Sequence, residues 1–239
     1  ISSTFFSKVN PLIPSSQRMK EIIHIQVGQC GNEISSKFWD LLCNEHGIND
    51  NGVRTSTEHS TKDKVEVYFR EDTSGRYIPR AILTDLEPRV LDSIKASSKG
   101  ELFCPANFIV DNAGGGAGSN WANGHYVEGA ELLVALMDAI RKEVEACDCL
   151  QGFQLAHSLG GGTGSGLGTL ITNQLAEEYP DRIRQTFSVF PSLTNPEIVV
   201  APYNCILALN YLTKDCDFVN VFENGTLFGI CDKHLHLES

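Results

Sequence analysis

Gly160-Gly161-Gly162-Thr163-Gly164-Ser165-Gly166 packs five glycines into seven residues, and no other stretch constrains this chain so strongly. The strand-like run Phe153-Gln154-Leu155-Ala156-His157 precedes it. Leu167, Leu170, Ile171 and Leu175 follow at helical spacing. A glycine-rich turn between a strand and a helix leaves bare backbone N–H groups at a helix N-terminus, which is a site for phosphate. The hydroxyls of Thr163 and Ser165 add donors without bulk. Three better-known motifs fail in register. No lysine follows the last glycine, as a P-loop requires. G-x-G-x-x-G finds Ser165, Leu167 or Thr169 at its sixth position. A nucleophile elbow would need glycine where Thr163 and Leu167 stand. A flexible linker is the remaining alternative, disfavoured by the strand and helix patterns that bracket the turn.

The rest of the chain alternates in the same way. Strand patterns fall at 21–27, 65–69, 81–86, 108–110, 153–157, 186–190 and 218–222, with 65–69 read as a half-buried edge strand. Helices are expected after a turn at Gly28-Gln29-Cys30-Gly31-Asn32, on the stripe Ile34, Phe38, Leu41 and Leu42 and ending near Gly47. Others are expected at 125–147, 167–178, 203–212 and 226–235. This is an α/β pattern: a three-layer, Rossmann-like nucleotide-binding domain with a mostly parallel sheet. In such sheets ligands sit at the carboxyl ends of the strands. The loops 28–32, 85–88, 111–120, 160–166, 191–201 and 223–224 all fall there.

The net charge of −11 argues against nucleic acid, because no basic stripe offsets it. An anionic nucleotide would then be held by backbone amides and a metal ion. The eight cysteines form no C-x-x-C pair and fall mostly in apolar segments, so a reducing compartment is expected, without disulfides or a zinc site. The longest apolar run, 132–137, is too short to span a membrane. Ile1 to Arg18 reads as a disordered leader, with a transit peptide as the alternative, and Met19 to Ser239 as one domain.

Together with Gly28-Gln29-Cys30-Gly31-Asn32, the heptapeptide makes the chain resemble the tubulin/FtsZ family, and within it the β-tubulin type. Flanking strings carry the resemblance: Met19-Lys20-Glu21-Ile22, Phe38-Trp39, Asp85-Leu86-Glu87-Pro88, Asn120-Trp121-Ala122, Gly124-His125-Tyr126, Cys147-Asp148-Cys149-Leu150-Gln151-Gly152, Glu178-Tyr179-Pro180-Asp181-Arg182 and Pro202-Tyr203-Asn204. They extend from Met19 to about Leu237. The resemblance implies GTP and Mg2+ as cofactors. Gly160, Gly161, Gly162, Thr163, Gly164 and Ser165, with Ser158 before them, would cradle the phosphates. Gly28, Gln29, Cys30 and Asn32 would close over phosphate and base. Gly114, Gly115, Gly116, Ala117, Gly118, Ser119 and Asn120 would form the loop that senses the γ-phosphate. Asp85 and Glu87 would face the metal, Glu197 the ribose and Asn224 the guanine.

The implied partners are an α-tubulin-like subunit, in a heterodimer and a microtubule lattice, and tubulin-folding chaperones, with no nucleic acid and no membrane. The implied location is the cytoplasm and its cytoskeleton. Hydrolysis would be completed by an acidic residue of the neighbouring subunit, so no catalytic residue is assigned to this chain. The alternatives are a non-polymerising module that binds tubulin partners or chaperones, and a simple nucleotide hydrolase.

Taken singly, several of these residues have plainer readings. Glu87-Pro88 suits a helix start, Asn32 and Asn224 suit N-caps, and His157 suits a core histidine. The chain also departs from the family pattern. The loop 111–120 is longer and richer in glycine, Ala201 replaces a glutamate, Gly225 an acid and Phe228 a tyrosine. The family continues past Ser239 with a base-stacking aromatic residue, a second guanine-reading asparagine and a core helix. Weak nucleotide affinity and an exposed apolar patch are therefore expected of this chain.

Overall fold

The computed structural model describes residues 20–55, 62–111, 115–192 and 198–235. Eight strands and six α-helices lie within them. The strands are β1 (Glu21–Val27), β2 (Phe69–Glu71), β3 (Tyr77–Pro79), β4 (Ala81–Asp85), β5 (Phe108–Val110), β6 (Leu150–Ser158), β7 (Ile183–Phe190) and β8 (Phe218–Glu223). The helices are α1 (Gly28–His46), α2 (Pro88–Ala96), α3 (Glu128–Glu145), α4 (Gly168–Glu178), α5 (Ala201–Asp215) and α6 (Asn224–Leu235). Six strands form one sheet in the order β5-β4-β1-β6-β7-β8, and every pairing is parallel. The expected α/β sandwich is therefore present. The leader 1–18 lies outside the described residues.

The central strands are apolar on both sides because both sides are covered. On β4, Ile82 packs toward α3 and α4 while Ala81 and Leu83 pack toward α1 and α2. On β1, Ile23, Ile25 and Val27 join the α3–α4 cluster, and His24 turns the other way to meet Ser35 of α1. The chain moves from β1 to β4 and β5 on one side, then returns to β6, β7 and β8 on the other. The order reverses between β1 and β6, and there the crevice outside the carboxyl ends opens.

Four local expectations need correction. Residues 28–32 are not a separate turn but the first turn of α1, which starts directly after Val27 with Gly28 at φ 73°. The stripe Ile34, Phe38, Leu41 and Leu42 is only half buried: Phe38 and Leu42 pack against the core beside Trp39, Ile34 and Leu41 are exposed, and the fully buried residues of α1 include Gly31, Asn32, Ser35, Trp39, Cys43 and His46. Small side chains let α1 lie directly on β6, so close that a Cβ on Gly31 would strike the carbonyl of Ala156. Residues 65–69 are not an edge strand. A 3-10 helix, Lys62–Val67, precedes β2, which pairs antiparallel with β3 in a separate hairpin. The helix expected at 125–147 is α3, entered through a π-helical turn at Asn123–Val127. The helix start at Pro88 is real and opens α2. Gly47 ends α1 as expected, in the left-handed conformation, with Ile48 N–H bonded 2.8 Å to the carbonyl of Cys43.

All eight cysteines are free thiols. No helix among the described residues is long and apolar enough to cross a membrane.

Candidate functional site at the β1–β6 crevice

The glycine heptapeptide leaves β6 at Ser158 and enters α4 through a second π-helical turn, Thr163–Leu167. A helix start leaves its first N–H groups without intrahelical partners, so this turn presents donors to the crevice. Its glycines do different work. A Cβ on Gly162 would lie 2.6 Å from Cβ of Ala117 and 2.7 Å from the amide nitrogen of Asn120. One on Gly164 would lie 2.6 Å from the carbonyl oxygen of Ser158, and one on Gly166 would strike the carbonyl of Trp121. These three are glycine because other backbone occupies the side-chain position. Gly161 differs: a Cβ there would meet nothing within 4 Å. It faces open space, as does Gly118 in the loop opposite.

His157 fastens the heptapeptide from below. Its Nδ1 is 2.7 Å from the carbonyl oxygen of Gly164, so that nitrogen carries the proton and donates. Nε2 then accepts from the Ser188 hydroxyl at 2.7 Å. Burial lowers its pKa to about 4, which keeps the ring neutral. The Ser165 hydroxyl donates to the carbonyl of Gly161, and Thr169 Oγ1 donates to that of Ser165 at 2.7 Å. Ser165 therefore braces the loop, and its hydroxyl is not free for a ligand.

The other loops close around this turn. Gly28 sits against it, a Cβ there falling 3.2 Å from the Gly164 nitrogen and 3.5 Å from Cβ of Thr163. The segment 115–120 lies on the opposite wall, with Gly116, Gly118 and Ser119 all at positive φ. Gly116 packs on Glu87, whose Oε1 would lie 2.6 Å from an added Cβ. Glu87 N–H donates to Asp85 Oδ1 at 3.3 Å. Asp85 is buried at the end of β4, and burial raises its carboxyl pKa to about 6. A contiguous path thus runs from Asp85 through Glu87, Gly116, Ala117, Gly162 and Gly164 to Gly28.

The remaining predicted residues lie around or outside this path. Asn32 is buried within α1 rather than capping it, and its Nδ2 donates to the carbonyls of Gly28 at 2.9 Å and Thr84 at 3.1 Å. It holds the crevice wall. Gln29 is exposed, with its amide 3.0 Å from Glu33 Oε1. Cys30 is half-buried, its thiol pushed up to about 11 chiefly by burial. Asn224 stands apart from the glycine loops, lining a cavity of about 490 Å3 with His24, Phe38, Phe187, Val189, Phe222 and Leu227. It does not cap α6; the Glu223 carboxylate does, accepting from Gly225 N–H at 3.0 Å and Thr226 N–H at 2.7 Å. Ala201 is buried against Gly160. Gly114 and Glu197 lie outside the described residues.

Sequence reasoning passed over Asn204, which it used only as part of a matching string. The side chain is buried in the first turn of α5 and bonds both crevice loops. Nothing local in Pro202-Tyr203-Asn204 marks it, because all three of its side-chain partners are at least 44 residues away in sequence.

The GTPase-domain profile of the Tubulin/FtsZ family matches residues 21–232. The chain belongs to this family. It is 51% identical over 219 residues to the nucleomorph tubulin beta chain of Guillardia theta, covering 92% of this chain and 49% of that protein. It is 52% identical over 213 residues to the tubulin beta chains of Porphyra purpurea and Pyropia yezoensis, covering 89% of this chain and 46% of each. The chain thus spans about half the length of the curated relatives it matches. The tubulin resemblance drawn from the glycine loop and its flanking strings is the one these relatives show.

Proposed function

We propose that this chain forms the GTP-binding portion of a β-tubulin-like cytoskeletal protein, with the nucleotide phosphates in the β1–β6 crevice. The observation that carries the reading is the open face of Gly161 and Gly118, set between two loops whose other described glycines each meet neighbouring backbone or side-chain atoms. Phosphate oxygens fit a cradle of bare N–H groups at a helix start, and the chain's acidic balance makes such neutral donors the means of holding an anion. Gly28, Gln29, Cys30 and Asn32 border the cradle on the β1 side, and residues 115–120 on the other.

Mg2+ suits the donor set. Asp85 and Glu87 supply hard oxygen ligands, and no group of three or more metal-binding side chains exists among the described residues. A magnesium ion here would complete its shell with water and phosphate oxygens, as it commonly does. Bound Mg2+ would neutralise phosphate charge, and Asp85 and Glu87 would orient the water around it. Asn224 would read the guanine from the α6 side, and Glu197 the ribose.

The chain's β-type relatives favour a polymer-forming protein over a sequestering module. We assign it an α-tubulin-like partner that completes hydrolysis, tubulin-folding chaperones, and a place in the cytoplasmic cytoskeleton. Titration with a fluorescent GTP analogue, with and without MgCl2, tests the reading. Saturable binding that requires magnesium and is competed by GTP but not ATP is expected. Absence of saturable binding overturns it.

A further inference from the structure

Asn204 makes three side-chain hydrogen bonds while buried at 4% exposure. Its Oδ1 accepts from the Trp121 N–H at 3.0 Å. Its Nδ2 donates to the carbonyls of Ser119 at 2.8 Å and Gly160 at 2.9 Å. The orientation of the amide is set by these partners. Turned over, it would face two carbonyl oxygens with an oxygen and one N–H with an NH2 group. Both amide hydrogens and the carbonyl are thereby committed to backbone of two different loops.

Those loops already touch. Gly162 is packed against Ala117 and Asn120, and a Cβ on Gly124 would strike the carbonyl of Gly162. Contact alone fixes their separation but not their register. Ser119 is the one described non-glycine residue with positive φ, at 54°, a conformation that needs outside support. Asn204 grips the carbonyl of that residue and the N–H two residues on. The same amide reaches Gly160, immediately before the open Gly161. Asn204 is itself held by a rigid element, since its own N–H bonds the carbonyl of Val200 at 3.1 Å in the first turn of α5.

We propose that Asn204 is a positioning residue that locks the 115–121 loop to the heptapeptide, so that the two walls of the crevice move as one unit. It touches no phosphate itself. Its consequence for nucleotide binding rests on the proposed function above and on the tubulin resemblance, which gives the γ-phosphate to the 115–120 segment while the heptapeptide cradles the phosphates as a whole. Loss of the lock would then weaken a nucleoside triphosphate more than a diphosphate, because only the triphosphate spans both walls.

The test uses the full chain and two substitutions. Asn204→Leu removes all three bonds. Asn204→Asp keeps an acceptor for Trp121 N–H and sets carboxylate oxygen against the two carbonyls. Amide hydrogen exchange on the nucleotide-free protein reads the lock directly. In Asn204→Leu, exchange in 115–124 and 159–166 should rise together by about tenfold, with β1, β6 and β7 unchanged. In Asn204→Asp the Trp121 amide should keep more protection than in Asn204→Leu. A rise confined to one loop, a uniform rise throughout the sheet, or no rise overturns the proposal.

Titrations with GTPγS and GDP read the consequence. An affinity loss of about tenfold for GTPγS with under about threefold for GDP supports it, and equal losses overturn it. A wild-type chain that binds neither nucleotide would defeat the functional reading, while the exchange data would still decide the lock.

Discussion

The β1–β6 crevice and the β8–α6 flank lie on one sheet and are built in opposite ways. At the crevice, backbone packs on backbone, and the buried side chains of His157, Asn32 and Asn204 donate to backbone carbonyls of Gly164, of Gly28 and Thr84, and of Ser119 and Gly160. At the flank, Phe218, Val221, Phe222, Leu227, Phe228 and Ile230 are between 37% and 63% exposed. Helices α1 and α2 cover one face only over β5, β4, β1 and part of β6. Beyond them, the side chains of Phe187, Val189 and Phe222 open onto the cavity that Asn224 lines. Parallel sheets are normally covered on both faces, and this flank leaves apolar side chains exposed. The contrast teaches that the crevice walls are held by buried polar groups, whereas the flank leaves apolar side chains exposed.

Each region holds a buried histidine, and acid breaks both. Burial lowers the pKa of His157 at the crevice and of His24 beside the open cavity to about 4 in each case. A folded-state value below the unfolded one of about 6.5 means that the native state resists protonation. The stabilisation is full above pH 6.5 and is lost as pH falls toward 4. Between pH 7.5 and 5 each ring should contribute a loss of about 2 kcal/mol, read by urea unfolding. His157→Gln and His24→Gln should each lower this acid sensitivity by about 2 kcal/mol relative to wild type. Buried Asp85, its carboxyl raised to about 6, acts in the opposite sense over this range, so each variant is read against wild type, and a variant profile identical to the wild type's would show that its ring is not held neutral.

Within the crevice, alanine separates the packed glycines from the open one. Gly164→Ala drives a methyl group into the Ser158 carbonyl at 2.6 Å and should cost about 1–3 kcal/mol of stability. Gly161→Ala meets nothing and should leave stability within about 0.5 kcal/mol. It should still weaken nucleotide binding by about tenfold, because its methyl group projects where phosphate would approach. Thermal melting and nucleotide titration of the two variants check this. Equal destabilisation would erase the distinction between frame and cradle.

The sheet, its parallel sense and the convergence of loops were legible because strand runs such as Ile22 to Val27 and turns such as Gly160 to Gly166 are local signals. The face of α1 is only partly legible because periodicity weighs apolarity: it finds Phe38 and Leu42, which pack on the core, together with Ile34 and Leu41, which are exposed. The contact with β6 runs through Gly31, Asn32 and Ser35, chosen for smallness and hydrogen bonding. The 65–69 segment alternated like a strand, yet its partner β3 pairs only from Phe69 onward. The cradle was visible in composition alone, but which glycine faces the ligand depends on Ala117, Asn120, Ser158 and Trp121, and only the fold brings these together. Asn204 was invisible for the same reason.

The smallest expected effect lies at the flank. Phe228 is 63% exposed on α6, and a Cβ on the neighbouring Gly229 would meet nothing within 4 Å, so this side of the helix packs on little. Phe228→Lys should change folding stability by less than about 0.5 kcal/mol and leave nucleotide titrations unaltered. Its effect should appear in self-association instead. An exposed apolar cluster lowers its free energy by pairing with any apolar surface, and a charge at its centre must be desolvated for that pairing to occur. Sedimentation velocity across a concentration series should show less association for Phe228→Lys than for wild type. Gly161→Ala should associate as wild type does. If the lysine leaves association unchanged while a crevice substitution reduces it, the adhesive surface is the crevice and not the flank.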